Sequence, residues 1–444
     1  MEKRYLIPND HIFLHEAKAG DKFLKLFCIP KDAARDYVRN RDNLVNIGND
    51  NSMVRQIIAT ARSTVVLVYT CQLGNLAEQK TSLLHELEVL ENLQPHIGDQ
   101  SNFSLFPVLI EPPRQWDNFD LFKVKPITSG ISLENVYQAA KKHEFPVPEI
   151  LAFWLSHQMF AAMKFLVQRG IKHNNITRKC MVLQYPGVHT RTIFSQLGFA
   201  GLHDKAVFPD LVITDFESAT TGNFTPVIDE FNTWTKFEPL RIVGGQSVGG
   251  STFESTEIGD SKMAALAMIE TVRAGWNAPP EDFIWDENEE LPEDFKKKGI
   301  SEISQSAFCN SINHNHEHTY EWIALMKSLG SAAGGHPFSL MGANVQQTLI
   351  HILRILGQDD WRNVWHAIDA RLEKLMNHAQ DERLAEENEL KQSGAAPHTM
   401  SNNLLDESIE TLTNTALNDP SFWDSSGENT RTVVVNVFTP AQGS

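Results

Sequence analysis

Apolar and polar residues alternate in two different patterns along the chain, and the first predicts a unit of strands and a helix. Residues 64–69 form a β-branched run of strand length. Across residues 76–93, leucines recur every three or four positions and glutamates fill the other sides, which predicts an amphipathic helix that ends before Pro95. Apolar runs at 106–110 and 121–124 predict two further strands. This order of elements indicates an α+β fold class.

Beyond residue 130 the pattern becomes helical. Ser132 is a suitable N-cap for a short helix that extends to residue 140. Residues 148–168 are apolar on nearly every side, which predicts a fully buried helix ending at Arg169-Gly170. Further helices are predicted at residues 260–274, 320–329, 344–356 and 359–376.

Both ends of the chain give weaker signals. Residues 12–14 and 23–27 have the composition of short strands. A charged helix is predicted at 378–391, and the remainder to residue 444 is rich in Ser, Thr, Asn and Asp, which is typical of a disordered tail. The run at 432–438 has clear strand character within that tail. It could add to the sheet edge of a partner, fold back on the domain, or have no role.

Composition and charge narrow the class of protein. Hydrophobic residues make up 41% of the 444 positions, which is enough for a core without disulfides, and the four cysteines include no CxxC pair. The formal net charge of −17 argues against binding to nucleic acid or to an anionic membrane surface. The sequence shows neither an apolar leader nor an apolar run of about 18 residues, so we expect a cytoplasmic or nuclear protein.

Two segments carry the candidate chemistry. The first follows the predicted buried helix and reads IKHNNITRKCMVL at residues 171–183, and the second reads LVITDFESA at residues 211–219. Together they resemble the catalytic loop (HRDxxxxxN) and the metal-binding loop (DFG) of the eukaryotic protein kinase superfamily.

The resemblance continues at other positions in the order of that family. The strand that ends at Tyr69 is similar to the family's VAIK strand, which carries a lysine at that position. Glu86 lies on a helix similar to the αC helix of the family, whose glutamate pairs with the VAIK lysine. Lys125 lies in a stretch that resembles the hinge, and Asp260 opens a helix that resembles a buried helix of the large lobe. Gly48 is the one glycine of a stretch that resembles the glycine-rich loop.

This resemblance implies a bilobal protein-kinase-like fold, with a small lobe of sheet plus helix and a larger, mainly helical lobe. The implied division is an N-terminal extension at 1–44, a small lobe at 45–128, a large lobe at 129–376 with insertions at 184–210 and 277–318, and a charged helix with a disordered tail at 377–444.

The departures from the family decide what function the resemblance implies. Asn175 stands at the position of the catalytic aspartate, and an amide cannot take up the proton of a substrate hydroxyl. Cys180 stands at the second metal ligand and is a poor partner for Mg²⁺. Tyr69 replaces the lysine that binds the phosphates, and of the glycine-rich loop at 47–54 one glycine remains.

A few of the family's groups are kept. His173 and Asp260 match residues that brace the loops, and Asp215 could still hold one Mg²⁺ ion. Glu86 is kept without a lysine at position 69 to pair with. The resemblance therefore implies a pseudokinase that acts by binding protein partners, with phosphoryl transfer weak or lost and with ATP and Mg²⁺ as possible ligands.

Two other interpretations of the protein stay open, and so does the role of one histidine cluster. A divergent active phosphotransferase would replace the missing positive charge with Lys172, Arg178 or Lys179, hold Mg²⁺ on Asp215, and take its base from an acid of the long segment between residues 215 and 260. A helical scaffold unrelated to kinases would lack a β-sheet lobe in residues 1–130. A separate cluster of His314, His316 and His318, with Cys309 nearby, is a polar loop or, less favoured, a zinc site.

Overall fold

The computed structural model describes most of the chain, and it divides that chain into two compact units. The described residues are 2–17, 24–45, 51–70, 76–94, 105–110, 114–116, 119–127, 130–187, 190–199, 207–221, 256–275, 299–300, 319–336, 338–358, 361–393, 402–418 and 430–436. Unit 1 comprises Met1–Gln94, Phe106–Ile131 and Arg383–Ser444, and unit 2 comprises Pro95–Leu105 and Ser132–Glu382. The structure confirms the expected α+β fold class.

An antiparallel sheet of five strands is the centre of unit 1. Its strands, in spatial order β2-β3-β4-β6-β5, are β2 (His11–Ala17), β3 (Leu24–Pro30), β4 (Val66–Thr70), β6 (Phe119–Val124) and β5 (Arg114–Trp116). Lys25, Tyr69 and Phe122 are opposite one another in three neighbouring strands, so they share one face. The sheet rules out a purely helical scaffold.

The other face of the sheet is an apolar core. It buries side chains from β3, β4 and β6 together with Ile7 of β1 (Glu2–Pro8): Leu26, Cys28, Val66, Val68 and Leu121. β1 pairs antiparallel with β12 (Thr430–Asn436) over seven residues, from Glu2 opposite Asn436 to Pro8 opposite Thr430. The strand-like run of the tail therefore folds back on the N-terminal strand.

The described residues of unit 1 also form the helices α1 (Lys31–Val45), α2 (Asn51–Ser63), α3 (Leu76–Leu93) and α11 (Asn402–Asn418), besides the end of a helix shared with unit 2. α3 confirms the helix expected at 76–93. Its leucine stripe places Leu83, Leu87 and Leu90 in the interior.

The structure draws some boundaries of unit 1 differently from the sequence. Residues 1–44, expected as an extension, supply two strands of the central sheet and most of α1. Residues 51–54, expected in a glycine-rich loop, begin α2, and Gly48 lies outside the described residues. Residues 106–110 make a single bridge, from Leu109 to Val124, instead of a strand. In the tail expected to be disordered, α11 and β12 are ordered elements because they pack on unit 1.

Unit 2 is mainly helical. In the part of unit 2 that the structure describes, the helices are α4 (Leu133–Lys142), α5 (Glu149–Gln168), α6 (Thr190–Gln196), α7 (Thr256–Arg273), α8 (Tyr320–Ala333), α9 (Phe338–Leu356) and α10 (Arg362–Ser393), whose last residues belong to unit 1. Ser132 ends the short strand β7 (Ile131–Ser132) and caps α4 as expected: its hydroxyl accepts from the Asn135 amide, and the Asn135 side chain accepts from the Ser132 amide.

The buried helix α5 orders the rest of unit 2. Among the described residues it is the one helix apolar and long enough to cross a membrane, but 72% of that apolar window is buried inside the protein, which is typical of a core helix. Trp154 Nε1 donates to the Pro209 carbonyl at 2.8 Å, and the Leu211 amide donates to Gln158 Oε1 at 2.8 Å. These bonds fix the strand β10 (Asp210–Ile213), which leads to Asp215.

Candidate functional site

Two pairs of short strands bring the candidate loops of unit 2 together. β9 (Met181–Gln184) pairs antiparallel with β10, and β8 (Ile171–Lys172) pairs with β11 (Thr220–Thr221). The loop at 173–180 leads from β8 to β9, and the loop at 214–219 leads from β10 to β11. The two segments that carry the expected chemistry are therefore neighbours.

Asp260 of α7 braces the first loop. The backbone amides of His173 and Asn174 donate to its two carboxylate oxygens at 2.6 and 2.9 Å. Burial raises the pKa of the Asp260 carboxyl, although the hydrogen bonds from these amides act in the opposite direction. The arrangement ties the loop to the helical core of unit 2.

His173 is a buried, neutral bracing residue. Burial lowers its pKa, although the hydrogen bond to Thr214 opposes this. Its Nε2 is 2.8 Å from the Thr214 carbonyl oxygen, and its Nδ1 is 3.3 Å from the Asn175 amide nitrogen. A neutral imidazole protonated at Nε2 satisfies both contacts, as donor and as acceptor. The ring also packs on Phe216 with a centroid distance of 4.8 Å.

Two residues of the loops have left-handed backbone conformations. Asn174 has φ 62° and Asp215 has φ 65°. Asn174 tolerates this conformation, and its side-chain amide donates to the Ser218 carbonyl at 2.9 Å and to Thr220 Oγ1 at 3.1 Å. The bonds of Asn174 join the two loops, and Asp215 precedes a short 3₁₀ turn at Phe216–Ser218 whose Phe216 is fully buried. Aspartate tolerates the left-handed conformation as asparagine does, so the backbone can turn sharply at Asp215.

Cys180 is a buried thiol. Its Sγ donates to the Thr177 carbonyl at 3.0 Å and accepts from the Thr177 amide at 3.1 Å. Burial raises the pKa of Cys180 to about 12, so the side chain is a neutral thiol at pH 7. Metals bind the thiolate form, and Mg²⁺ prefers oxygen. In the described part of the chain, no group of three or more His, Cys, Asp or Glu side chains is arranged to hold a metal ion.

Arg178 is engaged inside unit 2. Its Nε is 2.7 Å from Glu134 Oε2, its Nη1 pairs with Glu270, and its guanidinium lies 4.0 Å from the centroid of the Tyr137 ring. Burial alone would raise the pKa of Glu134, but hydrogen bonds from Gln138 and Arg178 lower it overall. The contacts tie the loop to α4 and α7.

Unit 1 contains the other candidate residues, and there the structure corrects the expectation for Glu86. Lys25 Nζ is 3.7 Å from Glu86 Oε1, with exposed side-chain fractions of 5% and 2%. Lys25 is opposite Tyr69 in the sheet, and its Nζ lies 5.1 Å from the centroid of the Tyr69 ring, which stacks on Phe122 at 4.5 Å. The lysine that pairs with Glu86 therefore comes from β3 and not from β4.

The remaining candidates are not part of these arrangements. Lys125 is exposed just after β6, and its backbone amide donates to the Val108 carbonyl at 2.8 Å. The histidine cluster at 314–318 and Cys309 lie outside the described residues. His173, Asn175, Cys180 and Asp215 belong to unit 2, and Tyr69, Glu86 and Lys125 belong to unit 1.

Comparison with known proteins adds no identification. No protein-family model matches the chain, and no curated protein matches it. The function must therefore be inferred from the residues and their geometry.

Proposed function

We propose that this protein is a degenerate member of the protein-kinase-like superfamily, with a bilobal fold in which unit 1 is the small lobe and unit 2 the large one. The sheet of unit 1 is followed in sequence by a helical unit, and a buried glutamate on α3 comes after the strand that resembles VAIK. The bracing of His173 by Asp260 and Thr214 agrees with the roles that the resemblance implies for these residues. We place the protein in the cytoplasm or the nucleus.

Its function in this proposal is that of a pseudokinase, which binds protein partners and transfers phosphate weakly or not at all. The single observation that carries this proposal is Cys180, a buried neutral thiol at the position of the second metal ligand. With the thiol's Sγ hydrogen-bonded to Thr177, Asp215 is left without the co-ligand that positions Mg²⁺ on a triphosphate.

A second observation supports the proposal: the described loop at 173–180 places no base at the position of the catalytic aspartate. Asn175 is exposed, and its amide side chain cannot accept the proton of a substrate hydroxyl. His173 is adjacent in the loop but cannot replace it, because the ring is fully buried and each of its nitrogens has a hydrogen-bond partner. General acid–base catalysis contributes about 10²- to 10⁴-fold to the rate in enzymes generally.

Lys25 supports retention of a nucleotide. In the family, the cation that pairs with the helix glutamate also contacts the α- and β-phosphates. Lys25 offers such a cation from β3, since its Nζ reaches Glu86 from the position opposite Tyr69. In this proposal the protein holds ATP through Lys25 without a metal clamp.

A divergent active phosphotransferase is the second candidate, and the Lys25–Glu86 pair is the observation that favours it. Arg178, one of its substitute cations, speaks against it, because that side chain is engaged with Glu134, Glu270 and Tyr137.

Labelled phosphate transfer separates the two candidates. The full chain is incubated with γ-labelled ATP and Mg²⁺, alone and with a generic protein substrate, beside the Asp215→Ala variant. We expect no transfer above the level of Asp215→Ala. Transfer that Asp215→Ala abolishes would establish the phosphotransferase and remove the pseudokinase.

A further inference from the structure

The C-terminal helix α11 lies in a groove of unit 1. It packs against α1, α2 and β2, and β12 beyond it pairs with β1. Leu405, Ile409 and Leu412 are buried and recur at the spacing of one helical turn. An apolar stripe laid into a groove between other helices is a recurrent mode of peptide recognition.

Two arginines at the rim of the groove contact acids on α11. Arg62 Nη1 of α2 donates to both carboxylate oxygens of Asp406, at 3.0 and 2.9 Å. Arg41 Nη1 of α1 is 3.7 Å from Glu410 Oε1 and donates to the Tyr37 hydroxyl at 2.9 Å. Asp406 and Glu410 are four residues apart and therefore lie on the same face of α11.

The charges of the two surfaces are complementary. α11 carries three acidic and no basic residues, while α1 and α2 together carry six basic and three acidic ones. Arg35 and Arg39 pair with Asp32 and Asp36 of their own helix, so the basic charge that contacts α11 comes from Arg41 and Arg62. The ion pairs are partly exposed, with 22% of the Arg62 and 29% of the Asp406 side chain accessible, so they select a ligand by charge while adding little binding energy.

We propose that the α1–α2 groove is a docking site for an acidic amphipathic helix of a protein partner, and that α11 is the intramolecular occupant that such a helix displaces. The partner helix presents two carboxylates four residues apart beside a stripe of leucine or isoleucine. This inference rests on the partner-binding half of the proposed function and names the chemistry of the partner.

The covalent connection of α11 to the rest of the chain determines how well a free helix can compete with it for the groove. α11 is linked to α10 on one side and is followed by the β12 strand on the other, so its effective concentration at the groove is high. A free helix of the same sequence therefore binds poorly to the wild-type chain and well to a chain whose own α11 has been detached.

Peptide binding to the full chain tests this. The probe is a fluorescent peptide of residues 400–418, and the release variant is the full chain with Asp406→Lys and Glu410→Lys. We expect the peptide to bind the release variant at least about tenfold more tightly than it binds the wild type. The matched control is the same peptide with both acids changed to lysine, which should bind neither chain. Equal binding of both peptides, or no binding to the release variant, overturns the proposal.

Thermal unfolding shows whether the release variant folds. If it does not, a second measurement on the wild-type chain tests the proposal. Excess peptide is added to the wild-type chain, and amide hydrogen exchange is followed by mass spectrometry. Faster exchange in α11 supports displacement, and unchanged exchange contradicts it. A stable dimer that exchanges α11 between copies would show that the occupant is a second copy and would overturn the partner helix. None of these results bears on phosphate transfer, so the inference can fail while the pseudokinase proposal stands.

Discussion

If the proposed kinase-like relationship holds, the candidate residues of unit 1 and unit 2 differ in which of the family's groups have a substitute. In unit 1, Tyr69 occupies the position of the expected lysine, yet Lys25 on the neighbouring strand gives Glu86 a buried cation. In unit 2, Asn175 and Cys180 have no comparable substitute among the described residues, although the bracing around His173 is intact. A point charge on a long side chain can be supplied from an adjacent strand, whereas a base or metal ligand needs one fixed position.

Removing the buried cation of unit 1 should have the largest effect on stability. Lys25→Met leaves the Glu86 carboxylate buried without this cation, and we expect unfolding to become easier by about 3–5 kcal/mol. Urea denaturation measures the change. The control is Lys125→Met, an exposed lysine of the same unit, which should change stability by less than about 0.5 kcal/mol. A second variant with Lys25→Met and Glu86→Leu should recover most of the loss. Equal losses of stability in Lys25→Met and Lys125→Met would show that the Lys25–Glu86 ion pair does not stabilise the fold.

Removing the brace of unit 2 comes next. Asp260→Ala deprives the His173 and Asn174 amides of their acceptors, which should lower the free energy of unfolding by about 2–4 kcal/mol. Asp260→Asn keeps one acceptor oxygen and should lose about half as much. Hydrogen exchange of these two amides should rise in the same order. If both variants unfolded like the wild type, Asp260 would not brace the loop.

The Cys180 thiol should make the protein sensitive to alkaline pH. Burial raises the pKa of Cys180 to about 12, above the value of about 8.5 in an unfolded chain. Between these values the folded state keeps a proton that the unfolded state releases, so stability falls as pH rises, by about 1.4 kcal/mol per pH unit from this group. The free energy of unfolding is compared between the wild type and Cys180→Ala at pH 9 and pH 10. The difference isolates the contribution of the Cys180 thiol, because all other groups titrate in both proteins. Parallel pH profiles would mean that the thiol is solvated.

The smallest expected effect concerns Arg178. Arg178→Gln removes contacts with Glu134, Glu270 and Tyr137 and should cost about 1–2 kcal/mol of stability, measured by thermal unfolding. Lys179→Gln, an exposed neighbour, is the control and should be close to neutral. A stable Arg178→Gln variant that had lost nucleotide binding would instead return Arg178 to the list of ligand-binding cations.

The sequence predicted the regular elements of the fold well. The helix at 76–93 matches α3, and the buried helix at 148–168 matches α5 within one residue, because leucine spacing and uninterrupted apolar character are local signals. The strand at 64–69 overlaps β4. The strands expected at 12–14 and 23–27 overlap β2 and β3, and fold-back of the run at 432–438 is one of the three alternatives that the sequence leaves open. The sequence does not place residues 1–44 in the central sheet or predict α11, because strand pairing and helix docking join segments hundreds of residues apart.

The sequence predicted only part of the candidate site, because contacts between distant segments leave no local pattern. Asp260 and His173 were expected to brace the loops, and their hydrogen bonds agree with that expectation. Lys25 was missed because its sequence, FLKLF, shows only a lysine in an apolar strand. Its position opposite Tyr69 follows from the register of β3 with β4, which no local pattern specifies.

Calorimetric titration with ATP tests the central claim most directly, since it asks whether the cation of unit 1 persists while the metal site of unit 2 is lost. The full chain is titrated in Mg²⁺ and in EDTA, beside Asp215→Ala and the double variant Lys25→Met with Glu86→Leu, which removes the cation without leaving the Glu86 carboxylate buried. We predict similar affinity in Mg²⁺ and EDTA, a loss of at least about tenfold in the double variant, and little change in Asp215→Ala, as expected for one buried charge contact. Binding that requires Mg²⁺ and disappears in Asp215→Ala, or no binding in any condition, would contradict the account.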